Sequence, residues 1–364
     1  MTKHSGTHPA QAIRRVEDLV ATGLIAADKA SALEAVTARY ALTITPQMTA
    51  LMDPNDPQDP IARQFVPSLA ELQTTPDELT DPIGDEVHSP VEGIVHRYPD
   101  RVLLKLLHAC PVYCRFCFRR EVVGPGGPQI LSSPALGAAL DYIRSHADIW
   151  EVILTGGDPL ALAPRRLGEV LAALSEIPHV KVVRLHSRVP VVDPSRINGD
   201  MLAALACFKG AVWVALHANH PRELSGAATG AIANLVQAGI AMVSQTVLLA
   251  GVNDDVDTLA ALMRAFVAHR IKPYYLHHPD LAPGTSHFRV SLARGRALAA
   301  ALQGTVSGLC QPTYVIDIPG GHGKAWAAAA QTQETAAGWD IRDFRGQSHA
   351  YADSFVTRDT GKPL

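Results

Sequence analysis

Three cysteines stand within eight residues, Cys110-Pro111-Val112-Tyr113-Cys114-Arg115-Phe116-Cys117, a C-x3-C-x2-C spacing. Thiolates clustered in this way bind iron–sulfur clusters or zinc. Three ligands leave one coordination position over. A 4Fe–4S cluster with one open iron is expected, and a zinc site with His108 as fourth ligand is the alternative. The motif leads into Arg115, Arg119 and Arg120 rather than a second ligand pair, which favours the cluster. A second candidate is Lys324, which closes Pro319-Gly320-Gly321-His322-Gly323-Lys324. A phosphate-binding P-loop needs Gly-x4-Gly-Lys-Ser/Thr. Ile318 and Ala325 occupy two of the positions that would have to match, so that pattern fails. A lysine on a glycine-rich loop at a strand end suits a Schiff base with pyridoxal phosphate instead.

The elements that must position these groups have a clear rhythm. Runs rich in Val, Ile and Leu occur at 101–107, 151–155, 181–185, 211–216, 240–249, 272–276 and 313–318, with alanine- and leucine-rich helical segments between them. Most successive starts lie about 30 residues apart, the length of a βαβ unit, and continuous apolar runs are strands buried on both faces. The fold class expected is α/β, a full or partial parallel β/α barrel, with a doubly wound sheet as runner-up. Polar and glycine residues gather at the carboxyl ends of these strands. They are the cysteine motif, Thr155-Gly156-Gly157-Asp158-Pro159, His186-Ser187-Arg188, His217-Ala218-Asn219, Gln245, Asp280 and the segment from Asp317 to Lys324. That face carries the active site of β/α barrels, so the chain reads as an enzyme.

Upstream lies a different composition. Helical patterning around 16–38 gives way to Asp53-Pro54-Asn55-Asp56-Pro57-Gln58-Asp59-Pro60 and further prolines. Residues 1–95 are expected to form a helical and extended wrap, 96–330 the barrel, and 331–364 a C-terminal tail. The whole chain has 364 residues, 32 basic against 35 acidic, 47% hydrophobic and 18% charged. A net charge of −3 argues against a nucleic-acid surface, and five cysteines cannot make a disulfide scaffold. The first 15 residues are polar without an apolar core, so no targeting segment is expected. The uncharged stretch 224–253 is interrupted by Gly230, Asn234, Gln237, Gly239, Ser244 and Gln245. It reads as a buried helix and strand rather than a membrane span, and the expectation is a cytoplasmic protein.

With Phe116 before its last cysteine, the C-x3-C-x2-C motif resembles that of the radical S-adenosylmethionine superfamily. Together with Lys324, the chain resembles the lysine 2,3-aminomutase family from about Asp53 to Lys324. The resemblance is carried by Asp53-Pro54-Asn55-Asp56-Pro57, His96-Arg97-Tyr98-Pro99-Asp100-Arg101, the cysteine motif with Arg119-Arg120, and Gly156-Gly157-Asp158-Pro159. Gln245-Thr246-Val247-Leu248-Leu249, Pro273-Tyr274-Tyr275-Leu276, His287-Phe288-Arg289 and the lysine loop complete it.

The resemblance implies a partial barrel and three cofactors: a 4Fe–4S cluster on Cys110, Cys114 and Cys117, S-adenosylmethionine, and pyridoxal phosphate on Lys324. Gly156, Gly157 and Asp158 match the segment that binds the methionine amino group, and His217 and Gln245 help seat the same cofactor. Arg97 and Arg101 match the cofactor-phosphate site, and Arg119 matches the residue that pairs with the substrate α-carboxylate. Asp280 and Asp317 match the two carboxylates that grip the distal ammonium of lysine. The implied activity is an isomerase converting L-lysine to β-lysine, with a low-potential electron donor as partner and room for a homo-oligomer. Departures are His322 where glycine is common and His277-His278-Pro279 before Asp280. No cysteine follows Cys310, so a C-terminal zinc site known in the family is not expected; Cys207 and Cys310 read as ordinary buried residues. The alternatives are a lysine 2,3-aminomutase serving modification of elongation factor P, and an inactive cluster-binding regulatory protein.

Overall fold

The computed structural model describes residues 11–124, 129–328, 331–335, 338–343 and 345–351. The expectation of a leaderless N-terminus falls largely on residues 1–10, and the last part of the tail on 352–364, outside the described residues. Nine strands form one sheet in sequential order: β1 (Ile94–Tyr98), β2 (Arg101–Leu107), β3 (Glu151–Gly156), β4 (Val182–Ser187), β5 (Ala211–His217), β6 (Ala241–Val247), β7 (Lys272–His277), β8 (Thr313–Ile318) and β9 (Gly323–Trp326). Neighbours from β2 to β8 pair in parallel, while β1 and β9 pair antiparallel at the two edges. Residues 332–351 add a separate three-stranded antiparallel sheet, β10 (Thr332–Thr335), β11 (Gly338–Arg342) and β12 (Ser348–Tyr351).

Helices Ser133–Ser145, Pro164–Ser175, Gly199–Leu205, Gly226–Gln237, Val256–Ala268 and Leu292–Thr305 return the chain between successive parallel strands. Their starts are written in the sequence. The side chains of Ser132, Asn198, Ser225, Asp255 and Ser291 each accept the amide of the residue three positions on, satisfying a donor the helix itself cannot. The strands alternate with period two. Val152, Leu154, Val183, Leu185, Val214 and Leu216 face the helices and are fully or almost fully buried. The opposite parity, including Thr155, His186, His217, Gln245, His277 and Asp317, lines one shared cavity. Residues from all nine strands meet in it, so the sheet is curled into a partial barrel.

Two elements differ from the sequence expectation. β1 straddles the 95/96 boundary, because residues 94–98 hairpin onto β2 through Tyr98↔Arg101. Lys324 lies in a short strand, not a loop. Gly320, Gly321 and Gly323 have φ of 84°, 86° and 87°, a region costly for other residues, so the glycines turn β8 tightly back into β9. The 224–253 stretch is a helix and a strand, and no helix of the described residues is long and apolar enough to cross a membrane.

Candidate active site

The central cavity has a volume of about 400 Å³. All three motif cysteines, which follow β2, line it, and so do Lys324, Asp317 and Asp280, which lie on or just past β7 to β9.

At the cysteine end the chain makes a dense polar frame. The turn Gly156-Gly157 is pressed against the residue before Cys110: a Cβ on Gly157 would lie 2.1 Å from the Ala109 carbonyl oxygen, so no other residue fits. The amides of Gly157 and Asp158 donate to the carbonyls of Leu107 (2.5 Å) and Ala109 (3.0 Å). Asp158 then organises the next strand end. Its Oδ1 accepts from Ser187 Oγ (2.7 Å) and the Leu160 amide (3.1 Å), and its Oδ2 from the amides of Arg188 (2.6 Å) and Val189 (3.1 Å). Arg188 donates to Cys114 Sγ at 2.8 Å and to Glu223 Oε2 and Gln64 Oε1 at 2.6 Å each. Burial pushes all three thiols up, Cys117 to about 11, and at Cys114 the Arg188 guanidinium offsets part of that rise. Such thiols lose their protons to a bound metal centre. The soft, buried donor set fits an iron–sulfur cluster.

Next to the cysteines, His217 lines the same cavity, packed 5.6 Å from the Phe116 ring, and its buried Nε2 has no hydrogen-bond partner. Burial holds its pKa well below the usual histidine value, so the ring is neutral. Gln245 Nε2 lies 3.3 Å from His186 Nε2.

At the lysine end, Lys324 Nζ donates to both oxygens of Asp317, at 2.6 and 2.8 Å. The pairing follows from register, since Asp317 sits opposite Lys324 across β8 and β9. Asp280, just past β7, completes a carboxylate pair. Burial and the Asp317 charge raise Asp280 to about 7; His277 and Lys324 hold Asp317 at about 2 against its burial. The Lys324 amide donates to Tyr98 Oη at 2.8 Å, and the Arg101 guanidinium lies 3.8 Å from the Tyr98 ring centre. Arg97 lines the cavity, with Nη2 donating to the Ile83 and Gly84 carbonyls (2.7 and 3.2 Å) and Asp85 Oδ1 (3.4 Å), while its buried Nε has no partner. Arg119 donates to Asp85 Oδ2 through Nη2 at 2.8 Å and Nε at 3.2 Å.

The fourteen residues singled out from the sequence therefore cluster around one cavity, or in the Gly156 turn against its wall. Several others were missed. Asp85, buried, binds both Arg119 and Arg97; it sits in an irregular loop where no spacing marks it. Gln64 and Glu223 brace Arg188, and Glu71 pairs with Arg115 at 2.5 Å. Their only signal is a polar or charged side chain among apolar neighbours. Cys310 is buried as expected, but Cys207 is exposed, because it follows the short helix Gly199–Leu205 on the outside of the barrel.

No family model matches the sequence. The chain is 41% identical over 283 residues to the L-lysine 2,3-aminomutase of Clostridium subterminale, covering 78% of this chain and 68% of the relative. It is 37% identical over 312 residues to the Bacillus subtilis L-lysine 2,3-aminomutase, covering 86% and 66%. It is also 35% identical over 292 residues to the glutamate 2,3-aminomutase of Clostridioides difficile, covering 80% and 68%. Among solved structures, a radical SAM methyltransferase from Sphaerobacter thermophilus aligns with a TM-score of 0.43 and 19% identity over 61% of this chain and 68% of that one, too loose a likeness to argue from. The identity to the named relatives, over more than two thirds of the chain, settles what the cavity alone suggested: this protein belongs to the lysine 2,3-aminomutase family, radical SAM isomerases that shift an amino group between neighbouring carbons.

Proposed function

We propose that the chain converts L-lysine to β-lysine. The observation that carries the substrate is the ammonium of Lys324 seated on Asp317, with Asp280 beside it in the central cavity. A terminal ammonium is the ligand this pair is built for, and Lys324 occupies the place of one. Two carboxylates there would repel the side chain of glutamate, so the glutamate-acting relative is not the guide to substrate.

Cys110, Cys114 and Cys117 are proposed to hold the cluster, with the Gly156-Gly157 turn, His217 Nε2 and Gln245 facing S-adenosylmethionine. Asp158 positions that turn. Lys324 is proposed to carry pyridoxal phosphate, with Arg97 and Arg101 for its phosphate and Arg119 for the substrate α-carboxylate. When bound, the cluster and S-adenosylmethionine supply a hydrogen-abstracting radical, and pyridoxal phosphate supplies the π-system over which nitrogen migrates. The chain itself positions and shields. Lys324 Nζ must leave Asp317 and lose a proton before it can bond a carbonyl. Arg119 already lies against Asp85, a carboxylate standing where the substrate's would pair. The apolar lining, including Val95, Ile153, Val247 and Val315, limits water around the reacting groups.

We also propose residues 1–95 as a wrap that completes the site, 96–330 as the catalytic barrel and 331–364 as a tail. The bonds from Gln64, Glu71 and Asp85 into barrel arginines support this division of labour. A cytoplasmic setting suits a reduced cluster. Anaerobic reconstitution with iron, sulfide and pyridoxal phosphate, then assay with L-lysine, S-adenosylmethionine and dithionite, is expected to yield β-lysine. Conversion of glutamate with no β-lysine would overturn the substrate.

A further inference from the structure

A second cavity lies outside the barrel, a groove of about 1020 Å³ between the N-terminal wrap and the barrel's helices. Two residues, Cys110 and Pro111, line both this groove and the central cavity. Cys110 is thus the wall between the outer surface and the site where a cluster would sit. The charged residues along the groove are Arg14, Arg166, Arg196 and Asp193, a local excess of two positive charges on a chain whose net charge is −3. Two of the three cations are not neutralised. Arg196 donates only to the carbonyls of Leu160, Ala161 and Leu162 (3.0, 2.7 and 3.1 Å), and among the described residues neither Arg196 nor Arg14 has an ion-pair partner. Arg166 is 3.6 Å from Glu169, and Asp193 accepts from Ser195 Oγ at 2.8 Å. Ile130 adds an exposed apolar contact at the edge.

We propose that this groove docks the protein that reduces the enzyme, an acidic carrier of a single low-potential electron. The proposal rests on the reading of Cys110, Cys114 and Cys117 as cluster ligands. Charge complementarity selects the occupant: cationic rims raise the association rate of an anionic partner and make it fall with salt. The shared wall selects the purpose, since Cys110 is the one cluster ligand that the groove reaches. One electron leaves the donor, which is oxidised by one, and enters the cluster, which is reduced by one. No proton or bond changes hands at this step.

The test uses the reconstituted full chain, reduced either by dithionite or by an acidic 2Fe–2S ferredoxin, with the paramagnetic signal of the reduced cluster as readout. The doubly charge-reversed variant R14E/R166E is expected to lower the ferredoxin-driven reduction rate at least tenfold at low salt and to leave the dithionite rate unchanged. High salt should erase the difference. A ferredoxin rate unaffected by both the charge reversal and salt overturns the docking site. A ferredoxin rate that rises on removal of residues 1–10 also overturns it, by giving the groove to the chain's own N-terminal segment. No reduced-cluster signal with dithionite in the unsubstituted chain would instead refute the cluster ligands themselves.

Discussion

The two ends of the central cavity hold their charges in opposite ways. At the cysteine end every buried charge is committed to the protein. Arg188 serves Glu223, Gln64 and Cys114, while Asp158 is filled by two side-chain and backbone groups on one oxygen and two amides on the other. At the lysine end the charges are satisfied by stand-ins. The Lys324 ammonium sits on Asp317, proposed above to take the substrate's ammonium, and Asp85 sits on Arg119, proposed to take its carboxylate. The first end is a scaffold that must exist before a ligand arrives; the second is a set of pairs a ligand can exchange. Damage at the first should therefore read out in folding, and damage at the second in binding.

The largest effect is expected from Arg188→Ala. Removing one partner of a buried ion pair leaves an uncompensated charge and costs about 3–5 kcal/mol. Glu223, fully buried, would keep only neutral donors on Oε1, the amides of Asn219 and His220 and Gln64 Nε2, with Oε2 losing the guanidinium. Denaturant unfolding of the cofactor-free chain measures this, and a loss below about 1 kcal/mol would break the contrast drawn above.

Asp317→Asn should do the reverse. Truncating one member of a buried charge pair at a binding surface costs about 2–5 kcal/mol of affinity, so kcat/KM for lysine is expected to fall by a factor of about 30 or more. Unfolding stability should move far less, because the Lys324 side chain is 29% exposed and can turn to water. Equal losses in both measurements would show that the lysine end is scaffold too.

The carboxylate pair also sets a pH dependence. Burial, then the Asp317 charge, raises Asp280 to about 7, whereas Asp317 lies at about 2. On the proposed role of Asp280, the substrate ammonium needs it ionised, so KM for lysine should rise as pH falls below about 7. In the cofactor-free chain the sign of the stability effect follows from the same shift. The folded state holds the Asp280 proton more tightly than the unfolded one, whose value is near 3.8. Stability from this group is thus greatest below that value and is lost as pH rises towards 7. Asp280→Asn should flatten both profiles, measured as KM and as unfolding midpoint between pH 5 and 8.

The same contrast explains what could be read from the sequence. Strand β2 and the helix caps follow from apolar runs and from Ser, Asn and Asp at helix starts, which are local signals. The cysteines announce themselves by type and spacing, and the inward parity of His217, Gln245 and Asp317 follows once the strands are set. Asp85, Gln64 and Glu223 could not be found in this way. Each acts across 34 or more residues of chain on a partner fixed only by tertiary packing, as with Asp85 and Arg119. The β8–β9 hairpin was hidden because three glycines look alike whether they bind phosphate or turn a strand.

The smallest effect tests whether the lysine end has any scaffold of its own. Tyr98 Oη accepts the Lys324 amide, and its ring lies beneath Arg101, so β1 and β9, the two edges of the sheet, are tied at this one hydroxyl. Tyr98→Phe keeps the ring and removes the acceptor. Lys324 is solvent-exposed, so water can replace the lost oxygen, and the stability cost should stay at about 0.5–1.5 kcal/mol. The consequence for loading should be more visible. With β9 less firmly held, pyridoxal phosphate is expected to bind a few-fold more weakly, read as the cofactor concentration that half-saturates the Schiff-base absorption. An unchanged half-saturation would mean that the Asp317–Lys324 register alone fixes the strand, and that the closure of the barrel edges through Tyr98 contributes nothing to the site.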